Sequence, residues 1–264
     1  MKVTLITTVL NEENAVNEFL DTVNHQSKSP DEIIIVDGGS IDSTLSVISK
    51  NKTKVRVIIK KGNRSTGRNE AVRKSKGNVI VCSDVGCILD KDWIKNITDP
   101  FLELEVDVVA GYYKPITKSV FEKCLATYTS VMSNKIDENN FLPSSRSIAF
   151  KKNAWKKVDG YPQWLDTCED LVFAKELKMK GFKFEFAKNA IVYWPQRKNL
   201  LEAAKQFFSY AVGDGTARYI RETTPFLFGR YAAGLTLLVI YFQTKSLFIL
   251  LLIWILLINY IVWS

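Results

Sequence analysis

Residues 32–49 read EIIIVDGGSIDSTLSVIS, and the order of residue types in this stretch decides the fold. Ile33 to Val36 is an unbroken β-branched run, the pattern of a short strand buried on both faces. It ends at Asp37 and two glycines, and Ser40 to Ser49 then reads as a short helix with Asp42 or Ser43 available as its cap. Outward to the N-terminus, VTLITTV at 3–9 is a second buried strand. Asn11 to Gln26 follows it, with Ala15, Val16, Phe19, Leu20 and Val23 at helical spacing. Outward to the C-terminus, VRVII at 55–59 is a third strand, 65–76 a helix ending at Gly77, and NVIVCSD at 78–84 a fourth strand. This alternation predicts an α/β chain with a mostly parallel central sheet and helices on its faces. In such sheets ligands bind beyond the carboxyl ends of the strands, where Asp37 and Asp84 stand.

The second half is less regular. It predicts a helix over 91–104, a strand over 107–113 and a helix over 118–134. Beyond these come a short strand at 147–150, a helix from Glu169 to Lys180 closed by Gly181, and strands at 182–186 and 190–194. An amphipathic helix from Leu200 to Arg221 completes the polar part of the chain.

The chain has 264 residues and a formal net charge of +8, and 47% of it is hydrophobic. Its lysines and arginines are spread along the sequence rather than gathered in a basic block, so no nucleic-acid partner is expected. From Phe226 to Trp263 almost every residue is apolar. Residues 226–242 hold one charge, Arg230, and 246–263 hold none; each run would extend roughly 27 Å as a helix. The expected organisation is a catalytic domain over 1–222 and a C-terminal membrane segment over 223–264, with two short transmembrane helices. The expected location is the cell membrane, with the catalytic domain on the cytoplasmic side. An apolar hairpin packed in a multimer or lying in the interface is the alternative. The four cysteines have neither CxxC pairing nor metal-ligand spacing and read as buried or half-buried reduced thiols. The opening MKVTLITTVLNEEN reads as a first strand, not a signal peptide.

Four polar motifs sit where the chemistry is expected. VDGGSIDST after the second strand makes an acceptor-rich corner in which Gly38 lets a ligand approach the backbone. RSTGRNEAV at 64–72 puts Arg68 and Asn69 near a helix start, where phosphate is favoured. SDVGCILDKDW at 83–93 puts Asp84 at a strand end, and TCEDLVF at 167–173 puts Glu169 and Asp170 at a helix start. Each alone has a plain reading: a common turn, a solvated helix face, or acids favoured by a helix dipole.

In this order, and with TTVLNEEN, SIAFKKNAWKKVDGY (147–161), YWPQR (193–197) and YAVGDG (210–215), they resemble a family 2 glycosyltransferase. The resemblance covers roughly residues 2–220 and is greatest to membrane-bound members that build cell-surface or lipid-linked glycans. It implies the nucleotide-sugar-binding GT-A fold and inverting transfer of a sugar from a nucleotide-diphosphate sugar to a lipid-linked or cell-surface glycan acceptor. It further implies that Glu12 and Asp37 lie against the nucleoside, and that Arg68 lies near the diphosphate or orders the loop over it. Asp84 matches the first aspartate of the family's DXD motif, which holds Mg2+ or Mn2+. Asp170 matches the catalytic base, with Glu169 positioning its helix and the acceptor. The chain departs from the pattern at Gly86, which replaces the second DXD aspartate. The family's later metal-ligating histidine also has no counterpart, since the one histidine, His25, reads as a surface residue. A catalytically weak glycan-binding or scaffold subunit is the competing reading. A nucleotidyltransferase is disfavoured by the acidic TTVLNEE loop, and a hydride-transfer enzyme by the lack of GxGxxG.

Overall fold

The computed structural model describes residues 1–131, 135–138, 141–221 and 224–263. The alternating half comprises β1 (Val3–Val9), α1 (Val16–Asn24), β2 (Glu32–Asp37), α2 (Thr44–Lys50), β3 (Arg56–Ile59), α3 (Arg64–Lys74) and β4 (Val79–Cys82). Next come β5 (Ile88–Leu89), α4 (Trp93–Thr98), α5 (Pro100–Glu103), β6 (Val108–Ile116) and α6 (Val120–Thr129). After them lie β7 (Ile148–Lys151), α7 (Lys152–Lys157), α8 (Glu169–Met179), β8 (Phe184–Pro195) and α9 (Leu200–Thr216). The apolar tail forms α10 (Thr224–Thr244) and α11 (Leu247–Trp263).

One sheet runs in the order β3-β2-β1-β4-β7-β6-β8-β5. Its first four strands are parallel, as the alternation requires, with Val9 opposite Asp37 and Ile6 opposite Cys82. Beyond β4 the sheet is mixed: β7 is antiparallel to both β4 and β6, β8 is parallel to β6, and β5 is antiparallel to β8. Successive side chains of β1 serve opposite faces. Leu5 packs with Phe19, Leu20, Val81, Trp93 and Ile97 on one side. Ile6 packs with Ile34, Ile80, Phe150, Phe173 and Leu177 on the other. Each of these large apolar side chains contributes about 1.5–3 kcal/mol by leaving water.

Several expected elements differ in extent. The helix expected over 11–26 begins only at Val16 because the preceding loop is tied to the next one. Asn11 is in the left-handed region (φ 57°), and the amides of Asn11, Glu12 and Glu13 donate to Ser40 Oγ, Thr44 Oγ1 and Asp42 Oδ2. The helix expected over 91–104 is cut at Pro100, which cannot donate an amide and begins α5 instead. The two strands expected at 182–186 and 190–194 are one strand, β8. It shifts register against β6 between Gly111 and Tyr112, leaving Lys188 and Asn189 exposed. The helix expected over 118–134 ends at Thr129, and its positions 132–134 lie outside the described residues. The helix expected to reach Arg221 stops at Thr216, and β5 and α7 are additional. Cys82 and Cys87 are buried, whereas Cys124 is exposed, unlike the expectation for it.

The chain divides into two units, Met1–Ala217 and Arg218–Ser264. In the second unit α10 and α11 form a hairpin that turns at Lys245 (φ 52°). With 21 residues and a mean hydropathy of 1.4, Thr224–Thr244 is long and apolar enough to cross a membrane, and none of its hydropathic window is buried. Leu247–Trp263 is 17 residues long.

Candidate active site

The carboxyl ends of β1, β2 and β4 bring the candidate residues of the alternating half to one edge of the sheet. At the end of β2, Asp37 is 1% exposed, and its carboxylate accepts from the Gly39 and Ser40 amides and from Ser40 Oγ. The short side chain thereby folds Gly38–Ser40 back over the strand end, an Asx-type turn that requires φ +107° at Gly39. Its carboxylate is thus engaged in shaping the corner. At Gly38 a Cβ would approach Gly62 O to 3.2 Å and Val9 O to 3.5 Å, so the two loops meet at backbone distance there. Glu12 is half-buried on the adjacent loop. Burial raises its pKa above 4.5 against the opposing pull of Arg64, and Asp84 adds to the rise.

Arg68 occupies the second turn of α3 and is 2% exposed. Its Nη2 donates to Asp84 Oδ1 at 2.8 Å and its Nη1 to Glu169 Oε1 at 2.6 Å. One guanidinium therefore ties the end of β4 to the start of α8. Burial opposes ionisation of Asp84, but Arg68, Arg146 and Arg64 outweigh it and hold its pKa below 3.8. Glu169 goes the other way: burial raises its pKa above 4.5, Arg68 recovers only part, and Asp170 adds repulsion. The side chain of Asp84 is 33% exposed, whereas that of Glu169 is 5% exposed, which is why solvent and the extra arginines favour the first. Neighbouring Asn69 is structural, binding the backbone of Tyr161 at both N and O and the indole of Trp155.

Asp170 is half-buried in the first turn of α8, whose entry at Cys168 is left-handed (φ 69°). Its Oδ2 accepts from Ser144 Oγ at 3.0 Å and from the Ser145 amide at 3.3 Å, and its Oδ1 from the Leu171 amide. Ser144 also accepts from Arg146 Nη1 at 3.1 Å, while Arg146 Nη2 donates to Tyr210 Oη at 3.1 Å. The Arg146 guanidinium lies over Trp194 at 4.1 Å and 5.6 Å from the Tyr113 ring centre. Arg146, Ser144 and Tyr113 are the residues of this cluster that sequence reasoning missed. Arg146 lies just before the short strand expected at 147–150, and no periodicity signals its partners.

Helix α9 reaches this neighbourhood through Gly213, one of the buried positions on that helix. A Cβ there would fall 2.1 Å from Thr167 Oγ1 and 2.8 Å from Thr167 O, just before α8, and Thr167 Oγ1 donates to Ser209 O. Gly213→Ala should therefore cost about 1–3 kcal/mol by overpacking against backbone. Gly215→Ala, where a Cβ meets nothing within 4 Å, should gain about 0.5–1 kcal/mol by helix propensity. Thermal midpoints of the two variants on opposite sides of wild type check both signs. A Gly213→Ala midpoint equal to wild type would show that α9 is not packed this way.

Among the described residues the side chains do not make a metal site of their own. Asp84 gives one oxygen to Arg68, Gly86 has no side chain to offer a ligand, and His25 is exposed and bonded to Asp21 O. Among the described residues no three His, Cys, Asp or Glu side chains gather as ligands. Packing does not require the glycine, since a Cβ at Gly86 would meet nothing within 4 Å.

Residues 4–159 match the family model described as Glycosyl transferase family 2. The O-antigen chain rhamnosyltransferase RfbN of Salmonella typhimurium is 25% identical over 239 residues, covering 84% of this chain and 75% of that protein. The mannosyltransferase PcManGT of Pyrobaculum calidifontis, solved with GDP-Man and Mn2+, superposes with a TM-score of 0.72 at 19% identity, over 95% of this chain and 78% of the other. Staphylococcus aureus TarS 1-349, solved with UDP-GlcNAc, gives a TM-score of 0.61 at 20% identity over 76% of this chain and 60% of the other. This chain spans 37% of the longer TarS chain. The fold is thus the GT-A type.

Proposed function

The chain belongs to glycosyl transferase family 2, and from that premise we propose an inverting transferase that moves a sugar from a nucleotide-diphosphate sugar to a lipid-linked or cell-surface glycan acceptor. The observation that carries this reading is the Asp170 carboxylate, oriented by Ser144 and the Ser145 amide on a helix whose first residue is bridged by Arg68 to Asp84. A general base works only if it is held within hydrogen-bond reach of the proton it takes. Here the base and the donor-side strand end share one rigid link.

The step is a single displacement. Asp170 accepts the proton of an acceptor hydroxyl as that oxygen bonds to the anomeric carbon. The bond from that carbon to the diphosphate oxygen breaks, and its electron pair leaves with the nucleoside diphosphate. Glu12 and the Asp37–Ser40 corner border the nucleoside end, with Gly38 letting the neighbouring loop at Gly62 pack against it. Asp84 marks the diphosphate end. Arg68 and Glu169 act as positioning residues, because the guanidinium is 2% exposed and its charge is already shared by two carboxylates. A divalent ion, where bound, neutralises diphosphate charge. The single free oxygen of Asp84 leaves it weakly held by protein, so no step is assigned to it.

The length and apolar composition of α10 support a membrane location, and the catalytic unit on the cytoplasmic side belongs to the same proposal. Confinement to that surface raises the effective concentration of a lipid-linked acceptor. Detergent-solubilised protein with a membrane-lipid extract should release nucleotide from one class among UDP-, GDP- and dTDP-sugars. Release should require the lipid extract, assayed both in EDTA and with Mn2+. No release from any donor by folded protein under either condition would replace this reading with that of a glycan-binding subunit.

A further inference from the structure

Among the described residues, Arg146 carries a full charge that no carboxylate touches directly. Its two side-chain hydrogen bonds go to the neutral hydroxyls of Ser144 and Tyr210, and among the described residues it forms no ion pair. The contrast is Arg68, whose guanidinium is shared by two carboxylates. Arg146 is half-buried and held over Trp194 with Tyr113 nearby, a stack that fixes the cation while leaving it open to a ligand. Burial works against this charge, and Tyr210, Asp84 and Asp170 around it more than restore it. The charge therefore lies close to both carboxylates that flank the proposed reaction, and it bonds the serine that orients Asp170. Both carboxylates are bonded elsewhere, Asp84 to Arg68 and Asp170 to Ser144 and the Ser145 amide, so a fixed, partly desolvated cation bonded only to hydroxyls favours an anion, part of the cost of dehydrating it having been met in folding.

We propose that Arg146 is the resident cation of the diphosphate subsite, taking the charge of the leaving nucleoside diphosphate where the DXD carboxylate pair is incomplete. This rests on the transferase reading and deepens it. Gly86 removes one ligand for a metal ion, and Arg68 occupies one oxygen of the remaining Asp84. Arg146 supplies positive charge on the same side of the site with no metal needed to anchor it. Its planar guanidinium suits two phosphate oxygens at once.

Binding of UDP, GDP, dTDP and the matching nucleosides uridine, guanosine and thymidine to the full-length protein in detergent tests this, first in EDTA and then with Mn2+. Wild type should bind one nucleoside diphosphate in EDTA about tenfold or more tightly than its own nucleoside. Arg146→Gln should lose most of that advantage and leave nucleoside affinity unchanged. Arg146→Met, which keeps an apolar contact with Trp194, should show the same loss and carries the test if the glutamine variant does not fold. An undiminished preference for the diphosphate in these variants overturns the proposal. So does an equal loss of nucleoside and diphosphate, which is the mark of a purely structural residue. A wild-type preference that arises only with Mn2+ also overturns it. If wild type binds none of the three diphosphates under either condition, the transferase reading fails as well, and that outcome is distinct from a failure at Arg146 alone.

Discussion

Replacing Asp170 with asparagine should lower turnover about 10²-fold or more while changing nucleotide affinity little. The substitution is nearly isosteric. An amide oxygen in the place of Oδ2 can still accept from both Ser144 Oγ and the Ser145 amide, and only the bond from the Leu171 amide to Oδ1 is lost, so the start of α8 should keep its place. What is lost is the ability to take a proton, an event of the transition state and not of donor binding. The expected signature is a lower kcat at nearly constant KM for the donor, in the nucleotide-release assay described above. Turnover within about threefold of wild type would remove Asp170 from the role of base, since proton transfer to a positioned carboxylate is worth more than that. An equal fall in donor affinity would instead mean that the substitution has disturbed the fold around Ser144.

Arg68→Met should destabilise the catalytic unit by about 3–5 kcal/mol, the usual cost of removing one partner from a buried ion pair. The guanidinium is 2% exposed, and without it Glu169, whose side chain is 5% exposed, would be a buried charge with no cation against it. Asp84 contributes less, because its side chain is 33% exposed and water can serve it. For a unit of this size the loss corresponds to a thermal midpoint lower by about 10 °C.

The pH dependence separates this cause from a simple loss of packing. In wild type the pKa of Asp84 lies below 3.8, so its stabilising contribution is present above that value and is lost as pH falls through its folded pKa. Glu169 has a pKa raised above 4.5, so its charged form costs stability, and that cost is relieved as pH falls through its folded pKa. Removing Arg68 removes a force that lowers the pKa of Glu169, so the variant should recover part of its lost stability between neutral pH and about pH 5. A deficit that stays constant over that range would assign the whole effect to packing.

Much of the site was legible before the structure because strand ends mark it. Asp37 and Asp84 close two β-rich runs, and in a parallel sheet such ends share one edge. Glu169 and Asp170 were visible as an acidic pair opening a helix. Their relation to the rest was not: Arg68 meets Glu169 across 101 positions of sequence and Asp84 across 16. The reading of Arg68 as a phosphate contact arose from its place near a helix start. Only the folded chain reveals that both ends of its guanidinium are already used by carboxylates. Arg146 had no periodic or motif signal at all, because a cation stacked on Trp194 and bonded to Tyr210 is defined by residues 48 and 64 positions away.

By itself, then, the amino-acid sequence determined the parallel half of the sheet, the helices that cover it and the apolar tail, because these follow from local hydrophobic period and from turn residues that act over a few positions. The tertiary structure alone decided the antiparallel insertion of β7 between β4 and β6, the union of two short runs into β8, and the pairing of each arginine. Strand direction and ion-pair choice depend on which distant surfaces meet and on how much water each charge loses there. A one-dimensional pattern carries no measure of either.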